Sequence, residues 1–250
     1  MLVAWQDSGS LQVSWLSRPS VVASSLGFVA GYVDTVGFIA LFGLFTAHVT
    51  GNFVLLGSEI AHPTHGVLVK LLAFPAFIAA VAASRLLALL AARQGRSPAG
   101  PLLLLQSVLL SACMLAGWRA QPIVDAAAPW VLVTGVLGAA AMGVQNAASR
   151  LAFGALAPTT VMTGNVTQLV IDAVDLLRGA GDEAVRGRIG KFLWPAVAFG
   201  TGAICGAIAH LHAALWALGL PLLILMALAA ASVFRTSDRQ QPGPRFPGTA

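Results

Sequence analysis

TAHVTGN occupies Thr46 to Asn52, and TTVMTGN returns at Thr159 to Asn165, 113 residues further on. Both words are polar islands in a chain that is 58% apolar and only 9% charged. A soluble domain is about a quarter charged and less than half apolar, so the composition belongs to a polytopic membrane protein. Helices are the expected form, because lipid offers no water to satisfy an open sheet edge. At 1.5 Å per residue, six stretches are long enough to cross a hydrocarbon core about 30 Å thick. They run from Ser20 to Phe45, His65 to Ala92, Leu102 to Trp118, Pro129 to Arg150, Phe192 to His210 and Ala213 to Phe234.

The repeated word is one of four anchors that align the two halves of the chain. GYVD at Gly31 to Asp34 meets GVQN at Gly143 to Asn146. Thr46, Thr50, Gly51 and Asn52 meet Thr159, Thr163, Gly164 and Asn165, Glu59 meets Asp172, and the Lys70 to Pro75 stretch meets Lys191 to Pro195. The order is the same in both halves, which implies an internal duplication. The first membrane repeat then covers 20–119 and the second 126–235. Residues 1–19 form a cytoplasmic or interfacial segment without the marks of a signal peptide, and 236–250 a disordered cytoplasmic tail.

Each half contains three long apolar spans and one short segment that opens at TGN. The distribution of Lys and Arg decides how the halves are oriented. If the short segments dip into the membrane and return, Arg18, Arg93, Arg96, Arg150, the Arg178 to Lys191 loop, Arg235, Arg239 and Arg245 collect on the cytoplasmic side, with Lys70 and Arg85 inside the second long span. Arg119 is then alone in an outer loop. The expectation is therefore all-α, with six long transmembrane helices, two short re-entrant half-helices, a 3+3 inverted repeat and both termini cytoplasmic. Arg residues in short loops also account for the net charge of +5. The lipid bilayer is the expected partner rather than nucleic acid, and a homodimer is left open.

A helix that starts inside the membrane leaves its first amides without partners, which Thr or Asn side chains can cap and Gly can approach by a sharp turn. Thr50, Gly51 and Asn52 would open one half-helix, and Thr163, Gly164 and Asn165 the other, with the two positive ends converging near the midplane. Asp34 is the one acidic residue in the middle of a long span, and an intramembrane carboxylate is a functional candidate by default. A structural bond from Asp34 to Tyr32, Thr50 or Asn52 is the plainer alternative. Gln145, Asn146 and Gln168 would supply neutral polar contacts to a solute. Asp34, His48 and Asp172 are proton-relay candidates, with water-facing positions as the alternative for His48 and for the Asp172 and Asp175 face. Gly27 and Gly31 are spaced to admit a neighbouring helix, and Pro75 and Pro195 to kink their spans. His62 and His65 make no metal site on their own, Cys113 and Cys205 read as buried inert thiols, and no cofactor is expected.

The segments GYVDTVGF…FTAHVTGN and GVQNAASR…TTVMTGNVTQLVID resemble the YoaK-like family of bacterial integral membrane proteins over about Ser20 to Phe234. The resemblance implies a bacterial cytoplasmic (inner) membrane location and a role in moving small metabolites. The absence of HExxH, GxSxG and clustered Cys/His argues against an enzyme. The expectation is a transporter of a small polar or anionic metabolite, proton-coupled through Asp34. A channel and a non-transporting scaffold are the alternatives.

Overall fold

The computed structural model describes residues 18–61 and 66–238. Those residues are all-helical. In chain order the helices are α1 Pro19–Ala40, α2 Gly51–Ala61, α3 Val67–Arg93, α4 Ala99–Arg119, α5 Pro129–Leu151, α6 Met162–Leu177, α7 Glu183–Ala213 and α8 Gly219–Asp238, with a 3-10 turn at Ala214–Leu218 between the last two. The expectations for 1–17, the tail beyond 238, and His62 and His65 lie outside the described residues.

Among the described residues, five stretches are long and apolar enough to span a membrane: Pro19–Ala40, Val67–Arg93, Ala99–Arg119, Pro129–Leu151 and Glu183–Ser232. The fifth is 50 residues long and covers both of the last two expected spans. It is interrupted at Ala214, whose φ of 46° and ψ of −132° take the backbone out of the helix. At 1.5 Å per residue the 11-residue α2 is about 16 Å long and the 16-residue α6 about 24 Å, both short of the roughly 30 Å needed to cross.

Glycine sets the closest helix contact. A methyl group at Gly27 or Gly31 of α1 would run into the carbonyls of Pro195 and Phe199 on α7, and one at Gly202 or Gly206 of α7 into those of Phe28 and Tyr32 on α1. Two small-residue stripes at four-residue spacing thus bring the backbones together, as expected where packing rather than water exclusion holds helices in lipid. Residue numbers rise together across this seam, so α1 and α7 run parallel. The same holds for α3 and α5, where Val69 meets Gly135 and Phe77 meets Gly143.

Helices α1 and α5 run in opposite directions. Thr46 lies against both Gly37 of α1 and Gly138 of α5, while Gln145 of α5 donates to the carbonyl of Leu26 on α1 at 2.7 Å. Between those two levels the numbering rises along α1 and falls along α5. These two helices form the centre, with 61% and 67% of their apolar windows buried against 28% for α3. Leu26, Val29, Val33, Val36, Met142 and Leu110 fill the main core. Outward faces of α2, α3, α6 and α7 carry large exposed apolar side chains such as Val54, Leu71, Val170 and Ile204, an arrangement suited to lipid and unstable in water.

Candidate functional site

The polar residues that the sequence singles out are gathered in two clusters, one at each loop before a short helix. Phe42 and Gly43, with φ of 55° and 77°, reverse the chain after α1 and bring Thr46 to His48 back alongside Asp34. One carboxylate oxygen of Asp34 accepts from the amides of Thr46 and Ala47, both at 2.7 Å, and from the Thr46 hydroxyl at 3.3 Å. The other lies 2.7 Å from His48 Nδ1. Asp34 is only 5% exposed, so these bonds replace the water that an ionised carboxylate would otherwise need. Its partners are Thr46, Ala47 and His48, not the Tyr32, Thr50 or Asn52 expected from sequence. Tyr32 instead donates its hydroxyl to the carbonyl of Ala217. His48 lies edge-on to Phe199 of α7, with ring centres 5.5 Å apart, so this loop reaches the opposite half of the chain.

Each TGN word does something other than cap its helix. The Asn52 side chain accepts from the amide of Phe45 at 2.9 Å and donates to its carbonyl at 2.8 Å, closing the loop seven residues back. The amides of Gly51, Asn52 and Phe53 are taken by the carbonyls of His48, Val49 and Thr50. The expected row of free amides is therefore missing at α2. In the second half Asn165 donates to the carbonyl of Pro158 at 2.7 Å, again seven residues back; proline has no amide to return the second bond. Thr50, Thr163 and Gly164 are exposed and Gly51 is half-buried, while Asn52 and Asn165 point inward.

The loop before α6 is held by neutral groups. Asn146 donates to Thr160 Oγ1 at 2.8 Å. Gln145, fully buried, accepts from Gln106 at 2.7 Å and donates to Thr159 Oγ1 at 3.1 Å as well as to Leu26. Gln145 is thus engaged as an internal strut. Asn146 lines a cleft of about 350 Å³ together with Ser149, Arg150, Pro158, Thr160 and Val161.

Two ion pairs tie the short helices to their neighbours. Glu59 of α2 lies 2.6 Å from Lys70 of α3, with both side chains buried. Asp172 of α6 accepts from Arg188 of α7 at 3.0 Å and from Gln168 at 3.0 Å. Asp172 is 1% exposed. The expectation of a solvated Asp172 face is overturned, since a carboxylate closed off from water has taken a guanidinium in its place; only Asp175 keeps partial exposure. The only buried residues of α2 are Asn52 and Glu59, and those of α6 are Met162, Asn165 and Asp172. Both short helices therefore face the protein with a polar stripe at i, i+7 and the outside with apolar groups. That spacing is visible in the sequence, but nothing in it pairs Glu59 with Lys70, eleven residues on and across a turn.

The short helices do not meet: α2 packs on α3 and α6 on α7. The cleft beside Asn52 is formed by α2, α3 and Val49, and that beside Asn146 by α5 and the following loop. The two TGN words are thus not brought together around one described cavity.

Apolar outer faces, spanning helices and polar groups folded inward define a multi-pass helical membrane protein. The family described as "Protein of unknown function (DUF1275)" matches residues 22–231, and the chain belongs to it. It is 30% identical over 154 residues to the UPF0700 transmembrane protein YoaK of Bacillus subtilis (strain 168), an alignment covering 61% of this chain and 66% of that protein. No solved structure matches.

Proposed function

We propose that this chain carries a small polar or anionic solute across a bacterial cytoplasmic membrane. Its two halves are inverted copies, its termini are cytoplasmic, and its short helices are re-entrant from opposite sides. The observation that carries the reading is the opposed course of α1 and α5, each holding a polar loop at the foot of a helix too short to cross. Parallel packing of α1 with α7 and of α3 with α5 supports it, because an inverted pair of three-span units exchanges its helices in that way. The cleft at Asn146, Ser149, Arg150 and Thr160 offers hydroxyl, amide and cationic groups to an anion.

The Asp34 and His48 pair is the proton-handling element of the outer half. Its counterpart in the inner half, Asn146 and Thr160, is neutral. The coupling is thus asymmetric even though the scaffold repeats.

The test is metabolite uptake into proteoliposomes, followed by mass spectrometry of the lumen. Asp34→Asn and Asn165→Ala proteins that remain folded and monodisperse at the assay temperature are expected to lose uptake by about tenfold or more, or roughly 1.4 kcal/mol of barrier at the least. Uptake into wild-type proteoliposomes no greater than into protein-free liposomes would count against transport, and unchanged flux in the variants together with lost partner binding would favour a scaffold.

A further inference from the structure

The cleft at the C-terminal end of α5 joins a cation to donors that the fold leaves unused. Its volume is about 350 Å³, near the lower end of the roughly 300–1,000 Å³ of small-molecule sites. Arg150, in the last turn of α5, is exposed and lines it. The ion pairs among the described residues join Asp34 to His48, Glu59 to Lys70 and Asp172 to Arg188. Arg150 is in none of them, so its charge at the cleft has no counter-charge.

The neutral groups of the lining divide by their bonding. Ser149 is engaged within the fold, donating to the Gln145 carbonyl at 3.2 Å and sharing a bond with Thr159 at 3.3 Å. Thr160, 2% exposed, accepts from Asn146 Nδ2 at 2.8 Å. Among the described residues neither of those two side chains has a further partner, which leaves the Thr160 hydroxyl hydrogen and the second Asn146 N–H free to donate. Leu156, Pro158 and Val161 add apolar surface to the lining.

This chemistry is particular to the second half. With GVQN set on GYVD and TTVMTGN on TAHVTGN, Asn146 stands opposite Asp34, Arg150 opposite Phe38, Thr160 opposite Ala47 and Val161 opposite His48. An amide and an isopropyl group replace the carboxylate and imidazole of the first half, and a guanidinium replaces a phenyl ring. The same stretch of the repeat has changed the sign of its charge.

We propose that this cleft binds a small monocarboxylate with a short apolar chain. The Arg150 guanidinium is a planar fork that matches the two oxygens of a carboxylate, and the Thr160 hydroxyl and the Asn146 N–H add uncharged donors. One cation without a counter-charge balances one negative charge. The second carboxylate of a diacid, or the further charge of phosphate, would lie against Leu156, Pro158 and Val161 with no cation to meet it. A short hydrocarbon chain covers those groups instead. This inference rests on the transport reading and gives it a solute class.

Butyrate is the probe. Its binding to the full chain in a neutral detergent, at an ionic strength fixed with chloride, is measured by equilibrium dialysis of the radiolabelled anion. Wild type is expected to bind butyrate saturably, with succinate and inorganic phosphate competing at least about tenfold more weakly. Arg150→Gln is expected to weaken binding by about tenfold or more, and Arg150→Lys, which keeps the charge and loses the fork, by a smaller factor. Thr160→Val is expected to weaken it by about tenfold and Thr160→Ser, which keeps the hydroxyl, to retain it. Arg178→Gln, at an exposed arginine outside the lining, is expected to change nothing. Absence of saturable binding to wild type, full affinity in Arg150→Gln, or competition by succinate or phosphate equal to that of butyrate would each overturn the proposal. So would displacement of butyrate by phosphatidylglycerol without displacement by propionate, which would assign the cleft to a lipid headgroup. Binding in detergent requires no flux, so these outcomes are separate from the uptake of the Asp34 and Asn165 variants.

Discussion

Asn52 and Asn165 occupy matching positions with unequal bonding. Asn52 makes two bonds to the backbone of Phe45 and Asn165 one to that of Pro158. Removing a buried partner exposes the other to its full desolvation cost, about 1–3 kcal/mol. Asn52→Ala is therefore expected to lower the melting temperature in detergent more than Asn165→Ala does, by several degrees; equal shifts would contradict the two-bond closure. The sequence made TGN conspicuous, but the partner of each asparagine is a main-chain group seven residues away, which no side-chain identity announces. For the same reason Asp34 could be recognised as a site residue and its acceptance of the Thr46 and Ala47 amides could not. The chain reversal at Phe42 depends on a positive φ in a residue that rarely adopts one.

At the level of helices, the α1–α7 seam depends on glycine at four positions. A methyl group at Gly31 would be driven into the Phe199 carbonyl, whereas one at Gly200 of α7 meets nothing within 4 Å. Gly31→Ala is expected to cost about 1–3 kcal/mol through overpacking, and Gly200→Ala to be neutral or slightly stabilising in thermal melts. Equal effects would mean that the seam is looser than its geometry indicates. The ion pairs make a second contrast. Lys70→Met would leave Glu59 charged and unpaired in the interior, at a cost of about 3–5 kcal/mol. Arg188, whose side chain is 44% exposed, is partly screened, so Arg188→Met should be milder, and adding salt should narrow the gap between that variant and the wild type. The i, i+7 polar spacing of α2 and α6 is readable from sequence. Their ion-pair partners were not, because the repeat alignment placed Lys191 opposite Lys70 while the structure pairs Asp172 with Arg188. A different register in the second half separates aligned residues from contacting ones.

Across the whole molecule, apolar runs place α3, α4 and α5 to within about three residues, because hydrocarbon thickness fixes their length, whereas α1 stops at Ala40 rather than Phe45, α7 starts at Glu183 rather than Phe192 and α8 at Gly219 rather than Ala213. The division between the last two, expected between His210 and Ala213, falls at Ala214, where backbone geometry makes the break in a continuous apolar run. Helix pairing lay beyond the sequence reading: Gly27 and Gly31 announced a close neighbour without saying that it would be α7 of the other half. Short helices that enter from opposite faces, as proposed here, leave the loops at their far ends exposed on opposite sides of the membrane. Single cysteines placed at His62 and Gly181, in a protein whose Cys113 and Cys205 are replaced by alanine, can be labelled in intact cells with a membrane-impermeant maleimide. Position 62 is expected to react in intact cells and position 181 only after the membrane is opened; reaction of both from the same side would contradict the inverted arrangement.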